Sequence, residues 1–258
     1  TLLDTLTAWL IYKTTEDRAC ALLYWLNPAS LWFSSREGQL EGMVVLWMVL
    51  ALLALKHKKP AAYGFLGLAI QAKLFPVFLA PYFLWQMAWR EPRRLARQWL
   101  CGVASFLPTV WAQYRSGYLT HLLGSGYVPQ YSPIHWLVRE PAFYPYAPYG
   151  LVLSHFFFSA VFVVAALWGM RRTGRIMEFF PAVAYLVFIK MIPLGQFWYL
   201  ILVPAFCLTI QDRAWRRIMM SLAALLCVKS IYSLLIGPID YCNPPDAMYL
   251  LEICFWGM

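Results

Sequence analysis

Charged residues are scarce in this chain of 258 residues. Asp, Glu, Lys and Arg together make up 13% of it, whereas soluble domains have roughly 25%. Hydrophobic residues make up 62%, and the mean hydropathy is +0.58. So little polar surface cannot cover an apolar core in water, which excludes a soluble globular domain, a coiled coil and a disordered segment. Strand-type alternation is also absent. We therefore predict a single all-α domain over residues 1–258, built as a polytopic transmembrane helical bundle.

Several enzyme motifs are missing as well. The sequence contains no P-loop, no dinucleotide-binding glycine pattern, no nucleophile elbow and no zinc-binding helix. It has no DxD and no CxxC, and its six cysteines are scattered. A divalent metal or other cofactor therefore has no support, and none is predicted. The net charge of +9 fits basic cytoplasmic loops, so no nucleic acid is expected as a partner.

Most of the basic residues are clustered. Five segments hold 15 of the 21 Lys and Arg residues: 13–18, 56–59, 90–97, 171–175 and 213–217. If all five face the cytoplasm, each apolar stretch between them crosses the membrane an even number of times. We expect these 15 residues to set the orientation of the chain and to carry no chemistry.

Stretch length then predicts the helices. The stretch 61–89 is too short for two full spans and a turn, which need roughly 45 residues. The alternative is one tilted span, which would put adjacent basic segments on opposite faces. We favour short or re-entrant helices whose tips stop inside the membrane beside a cavity. The stretch 98–170 is longer and predicts two helices, about 99–115 and 149–170, around an external loop at about 116–148.

A few polar residues fall at the predicted tips. Arg36, Lys73 and Lys190 lie outside the basic segments, and such positions favour binding of an anionic group such as a phosphate. The alternative is that these side chains extend to the external interface. Glu37 and Glu41, four residues apart, would share one helix face and could act as a base, a hydroxyl ligand or a metal ligand. Equally, they could complement the dipole at a helix start.

Three tip segments resemble the GT-C superfamily of glycosyltransferases. Asn27-Pro28 followed by Ser34-Ser35-Arg36-Glu37-Gly38-Gln39 is similar to an external segment of that family. The residues from Lys73 to Pro76 resemble a helix end of the family. Lys190 with Gln196-Phe197-Trp198-Tyr199-Leu200 resembles a third segment, typical of type-one GPI mannosyltransferases and their bacterial relatives. The likeness covers roughly residues 20–90 and 185–205.

This resemblance implies a multi-pass membrane enzyme that acts on the external face, in the plasma membrane if the protein is bacterial. It would move a hexose such as mannose from a polyprenyl-phosphate donor to a lipid or glycan acceptor, with inversion. Arg36, Lys73 and Lys190 would bind the donor phosphate, and Gln39, Gln196 and Tyr199 would orient the sugar or phosphate. Fixed cations are needed there because the leaving group is an anion in a water-poor site.

One expected element of that family is missing. Its catalytic acid lies in a first external loop, upstream of every segment matched here, so we expect helices to be missing before Thr1. Otherwise Glu37 or Glu41 replaces that acid. The alternative function is a flippase or transporter of lipid-linked glycans, which would also need short broken helices and charges at mid-depth.

Overall fold

The computed structural model describes residues 2–27, 41–107, 110–111, 149–191 and 200–236. Every regular element within these ranges is helical, which confirms the all-α class. The helices are α1 (Leu2–Thr15), α2 (Arg18–Trp25), α3 (Glu41–Lys56), α4 (Ala61–Ala72), a 3-10 helix (Phe75–Leu79), α5 (Ala80–Trp85), α6 (Pro92–Ser105), α7 (Tyr149–Thr173), α8 (Ile176–Met191), α9 (Leu202–Cys207) and α10 (Arg213–Ile236). Among the described residues, no helix combines the length and the apolar character needed to cross a membrane.

The five basic segments meet at one end of the bundle, which we call the basic end. Three contacts join four of them: Lys56 Nζ to Glu16 Oε1 at 2.6 Å, Arg94 Nη2 to the Lys58 carbonyl at 3.3 Å, and Arg217 Nε to Asp17 Oδ2 at 2.7 Å. Arg175 of the fifth segment contacts Glu178, just outside that segment, with Nη1 3.5 Å from Oε1. Glu178 in turn accepts a hydrogen bond from the Gln211 N–H at 2.9 Å. This is the arrangement that the charge pattern predicts. We call the opposite end of the helices the tip end.

Residues 61–89 form a short hairpin. Helix α4 cannot continue through Pro76, which has no N–H to donate to the carbonyl four residues earlier and whose ring would clash with that carbonyl. The chain reverses at Lys73 and returns through the 3-10 helix and α5. The Tyr63 hydroxyl donates to the Phe83 carbonyl at 3.1 Å and so ties the two arms together. The stretch therefore reverses direction after one short helix, and the predicted position of its tip inside a membrane stays a prediction.

The bounds of α6 differ from the prediction. We predicted a helix at about 99–115, but α6 begins at Pro92 and ends at Ser105. The reason is that Pro92 occupies the first helical position, where its missing N–H costs no hydrogen bond. Part of the basic segment 90–97 is therefore helical. The second predicted helix is α7, Tyr149–Thr173, and the predicted loop 116–148 lies outside the described residues.

Two helices bury polar side chains and expose apolar ones. Helix α1 buries Asp4 and Thr7, while Trp9 is 53% exposed. In α6, Gln98 is only 2% exposed, whereas Leu100 is 69% exposed. Soluble proteins show the reverse preference, because burial of an amide or carboxylate is costly and burial of leucine is favourable.

Candidate functional site

Lys73 lies at the tip of the short hairpin. It is the C-cap residue of α4, with an extended backbone (φ −154°, ψ 143°), and its N–H donates to the Ala69 carbonyl at 3.1 Å. The residue is half-buried. The position results from the break before Pro76, which ends α4 there and so places a cation at the turn.

An aromatic cluster packs the hairpin against α8. The ring centroids of Phe78 and Phe188 are 4.8 Å apart, and those of Phe75 and Phe188 are 6.1 Å apart. Tyr185 packs against both Phe75 and Phe78, at 5.8 Å in each case. Since Lys73 is two residues before Phe75 and Lys190 is two residues after Phe188, the cluster brings the end of α8 to the hairpin tip. The backbones of two predicted site positions, Lys73 and Lys190, therefore both lie towards the tip end.

Two carboxylate residues also lie at the tip end. Helices α1 and α3 both finish at the basic end, where Glu16 contacts Lys56, so both begin at the tip end. Asp4 lies in the first turn of α1 and is 4% exposed, and Glu41 is the first residue of α3. The sequence offers Asp4 only as a remote stand-in for the missing acid, because one helix separates it from a basic segment. The structure adds that Asp4 is buried and lies at the tip end of α1.

The remaining predicted site residues lie outside the described ranges. These are Arg36, Glu37, Gln39, Gln196 and Tyr199. For Glu41 and Lys190, the helical backbone is described and the side chains are not. Of the predicted donor-binding residues, the structure therefore describes Lys73 in full and locates the backbone of Lys190.

The basic end contains a cleft that sequence reasoning missed. Its volume is about 910 Å³, and it lies between the ends of α1 and α3, the segment around α5 and α6, and the start of α10. Six cationic residues line it: Lys56, Lys58, Lys59, Arg94, Arg213 and Arg216. Two carboxylates, Glu16 and Glu91, also line it. We refer to this space as the basic cleft.

Asp17 holds one wall of the basic cleft in place. Its side chain is fully buried and accepts hydrogen bonds from Arg217 Nε at 2.7 Å, Arg217 Nη2 at 2.9 Å and Arg213 Nε at 3.2 Å. It also caps α2 by accepting from the Ala19 N–H at 3.0 Å. The Arg217 guanidinium holds the pKa of Asp17 well below its usual range. The turn before α2 is thereby fixed to the start of α10.

Arg216 is a buried cation in the same wall, 7% exposed. Its guanidinium donates to backbone carbonyls of Ile210 at 2.9 Å, Gln211 at 3.3 Å and Thr15 at 3.3 Å. The partial negative charge of these carbonyl oxygens offsets part of the positive charge of the guanidinium. Within the described ranges Arg216 has no ion-pair partner. The positive charge of the wall is therefore only partly neutralised.

No metal centre is found in the part of the chain that the structure describes, where no three His, Cys, Asp or Glu residues are grouped to hold an ion. Cys20, Cys207 and Cys227 are buried free thiols. Comparison with protein-family models, with curated proteins and with solved structures finds no significant match for this chain.

Proposed function

We propose that this chain is a polytopic membrane protein with the donor-binding part of a GT-C-like glycosyltransferase. The burial pattern of α1 and α6 supports a location in the membrane. These helices bury the polar side chains of Asp4 and Gln98, while the apolar side chains of Trp9 and Leu100 are exposed. Such a pattern is stable where lipid surrounds the helices, since lipid solvates leucine and tryptophan but not a carboxylate or an amide.

The proposal of a glycosyltransferase depends mainly on one observation. The packing of Phe75 and Phe78 against Phe188 supports it, because Lys73 is two residues before Phe75 and Lys190 is two residues after Phe188. Two cations at neighbouring helix ends suit a phosphate leaving group, which the segments resembling GT-C enzymes also imply. Fixed cations stabilise the charge that develops on the departing lipid phosphate, and a low-dielectric site strengthens this effect.

The reaction would be an inverting hexosyl transfer. A carboxylate accepts the proton of the acceptor hydroxyl, whose oxygen forms a bond to the anomeric carbon of the sugar. The bond from that carbon to the phosphate oxygen breaks, and the electron pair leaves with the polyprenyl phosphate. Lys73 and Lys190 would bind this anion. Asp4 joins Glu37 and Glu41 as a candidate for the base, because it lies at the tip end of α1.

A Lys73→Met substitution tests the phosphate role. In membranes that contain the full-length protein, we expect loss of transfer of labelled mannose from polyprenyl-phosphate mannose, by about a hundredfold or more. Lys73→Arg should keep part of the activity, since it keeps the charge. The measurement is label incorporated into lipid or glycan products, normalised to the amount of inserted protein.

The matched control is Arg172→Met, which removes an exposed cation at the basic end. It should transfer mannose at the normal rate. Normal turnover by Lys73→Met would exclude Lys73 from phosphate binding. The same assay on Asp4→Asn, with donor binding measured separately, distinguishes a base from a phosphate ligand: loss of a base lowers turnover and leaves donor binding unchanged.

The second candidate is a flippase or transporter of lipid-linked glycans. It is favoured by the packing of the broken hairpin, residues 61–89, against α8, since discontinuous helices near mid-depth are typical of transporters. Movement of a fluorescent lipid-linked glycan across liposomes without formation of a glycosidic bond would establish this function and exclude the transferase.

A further inference from the structure

The basic cleft has more positive charge than its own carboxylates neutralise. Glu16 pairs with Lys56 at 2.6 Å, and the exposed Glu91 pairs with Arg94 at 3.5 Å. Lys58 and Lys59 are exposed and have no ion-pair partner among the described residues. The cleft therefore has at least two cations available to a ligand at its mouth.

The mouth of the cleft has a defined backbone. Glu16 and Lys58 have positive φ angles, 56° and 54°, because they follow the last turns of α1 and α3 and allow those helices to stop. The Lys59 N–H donates to the Ala54 carbonyl at 2.9 Å, and Arg94 Nη2 donates to the Lys58 carbonyl at 3.3 Å. These bonds place Lys58 and Lys59 on a turn that is held against α6.

The floor of the cleft is polar although it lies among buried helices. Tyr82, Gln86, Gln98 and Thr209 line it, and Gln98 Oε1 accepts from the Ala88 N–H at 3.1 Å. Thr209 Oγ1 is fixed by the Glu178 carbonyl at 2.5 Å. These hydrogen bonds within the protein fix the polar floor, and the exposed cations at the mouth remain for a ligand.

We propose that the basic cleft binds a phosphate-bearing anion, with Lys58, Lys59 and Arg94 as its cationic ligands. Lysine and arginine bind phosphate oxygens through charge-assisted hydrogen bonds. A volume of about 910 Å³ exceeds what one phosphate fills, and it accommodates a phosphate together with its organic substituent. This site is at the opposite end of the molecule from Lys73, so it does not depend on glycosyl transfer.

The test measures binding of inorganic pyrophosphate to the purified full chain in neutral detergent, by titration calorimetry. In the double variant Lys58→Gln/Lys59→Gln we expect the Kd for pyrophosphate to rise about tenfold or more. Loss of even one charge-assisted hydrogen bond weakens binding by about this factor. The matched control is Arg171→Gln/Arg172→Gln, which removes the same charge from exposed residues at the same end, outside the cleft. It should change the Kd less than twofold.

A second arm identifies the source of the phosphate. Native mass spectrometry of the chain with phosphatidylglycerol or phosphatidylcholine shows whether an anionic lipid is retained, and whether Lys58→Gln/Lys59→Gln releases it. Retention of phosphatidylglycerol alone assigns the cleft to a lipid headgroup, and pyrophosphate binding alone assigns it to a soluble phosphate compound. Absence of both, or an equal loss in the cleft and control variants, would overturn the proposal.

Discussion

Asp17 joins the turn before α2 to the start of α10, and it does so as a fully buried carboxylate between two arginines. We expect Asp17→Asn to lower the free energy of unfolding by about 2 kcal/mol, because charged hydrogen bonds to Arg217 and Arg213 are lost inside the bundle. The midpoint of thermal unfolding in detergent should fall by about 4–8 °C. The control is Glu16→Gln, an exposed carboxylate paired with Lys56, which should change this midpoint little.

Asp17 also makes the stability of the folded chain depend on pH. The pKa of Asp17 in the folded chain lies below its ordinary value of 3.8, so its stabilising effect is fully present above that value and is lost as the pH falls through the folded pKa. Between pH 5 and pH 3, the unfolding midpoint of the native chain should therefore fall further than that of Asp17→Asn. Equal falls in both proteins would show that Asp17 is not the group responsible.

At the scale of elements, α4 and α6 pack closely through glycine. A Cβ on Gly67 would lie 1.9 Å from Ser105 Oγ and 3.0 Å from Ser105 Cβ, whereas one on Gly64 would make ordinary contact with the Cys101 carbonyl at 3.4 Å. The hydroxyl of Ser105 is held by the Gly102 carbonyl at 2.6 Å, so it does not turn away freely. We expect Gly67→Ala to destabilise the chain by about 1–3 kcal/mol through overpacking.

Gly64→Ala is the matched substitution in the same helix. It gains up to about 1 kcal/mol of helix propensity and should leave the unfolding midpoint unchanged or raise it. Both midpoints can be measured by the same thermal scan in detergent. A fall of equal size in the two variants would mean that loss of glycine itself, and not contact with Ser105, causes the effect.

At the scale of the whole molecule, all five basic segments lie at one end. If the protein spans a membrane as proposed, every basic segment faces the same side. We expect His57→Cys and Arg172→Cys, both at exposed positions, to react with an impermeant maleimide only after the cells are permeabilised. A cysteine at Ser132, in the predicted external loop, should react in intact cells.

The unsubstituted chain is the background control for this labelling, since Cys101 is only half-buried, whereas Cys20, Cys207 and Cys227 are buried. A different accessibility of His57→Cys and Arg172→Cys would contradict a common side for the basic segments. It would also contradict an even number of crossings between residues 57 and 172, and with it the proposed membrane topology.

Part of the fold follows from short-range rules. The turn at Lys73 was predictable because Pro76 blocks the helix within one turn of it. The position of the basic segments at one end was predictable from charge alone. Lys-rich and Arg-rich loops of membrane proteins share a preference for the cytoplasmic side. The start of α6 differs from the prediction because Arg93, Arg94 and Arg97 indicate a polar loop, although Pro92 is a good first residue of a helix.

The candidate sites depended more on long-range contacts. Several of the clustered basic residues line one cleft, an arrangement that their spacing in the sequence does not specify. Arg217 reaches Asp17 across 200 positions of sequence, and no local pattern specifies that pair. Lys73 and Lys190 come to one end only through the rings between them, Phe75, Phe78 and Phe188.

The sequence by itself determined the helical class, the scarcity of polar surface and the end at which the basic residues gather. These properties depend on composition and on the spacing of charge and proline along the chain. Only the tertiary structure decided that Asp4 lies at the tip end and that Lys58 and Arg94 share one cleft. The physical reason is that helix packing, set by side-chain shape across distant segments, decides which polar groups become neighbours.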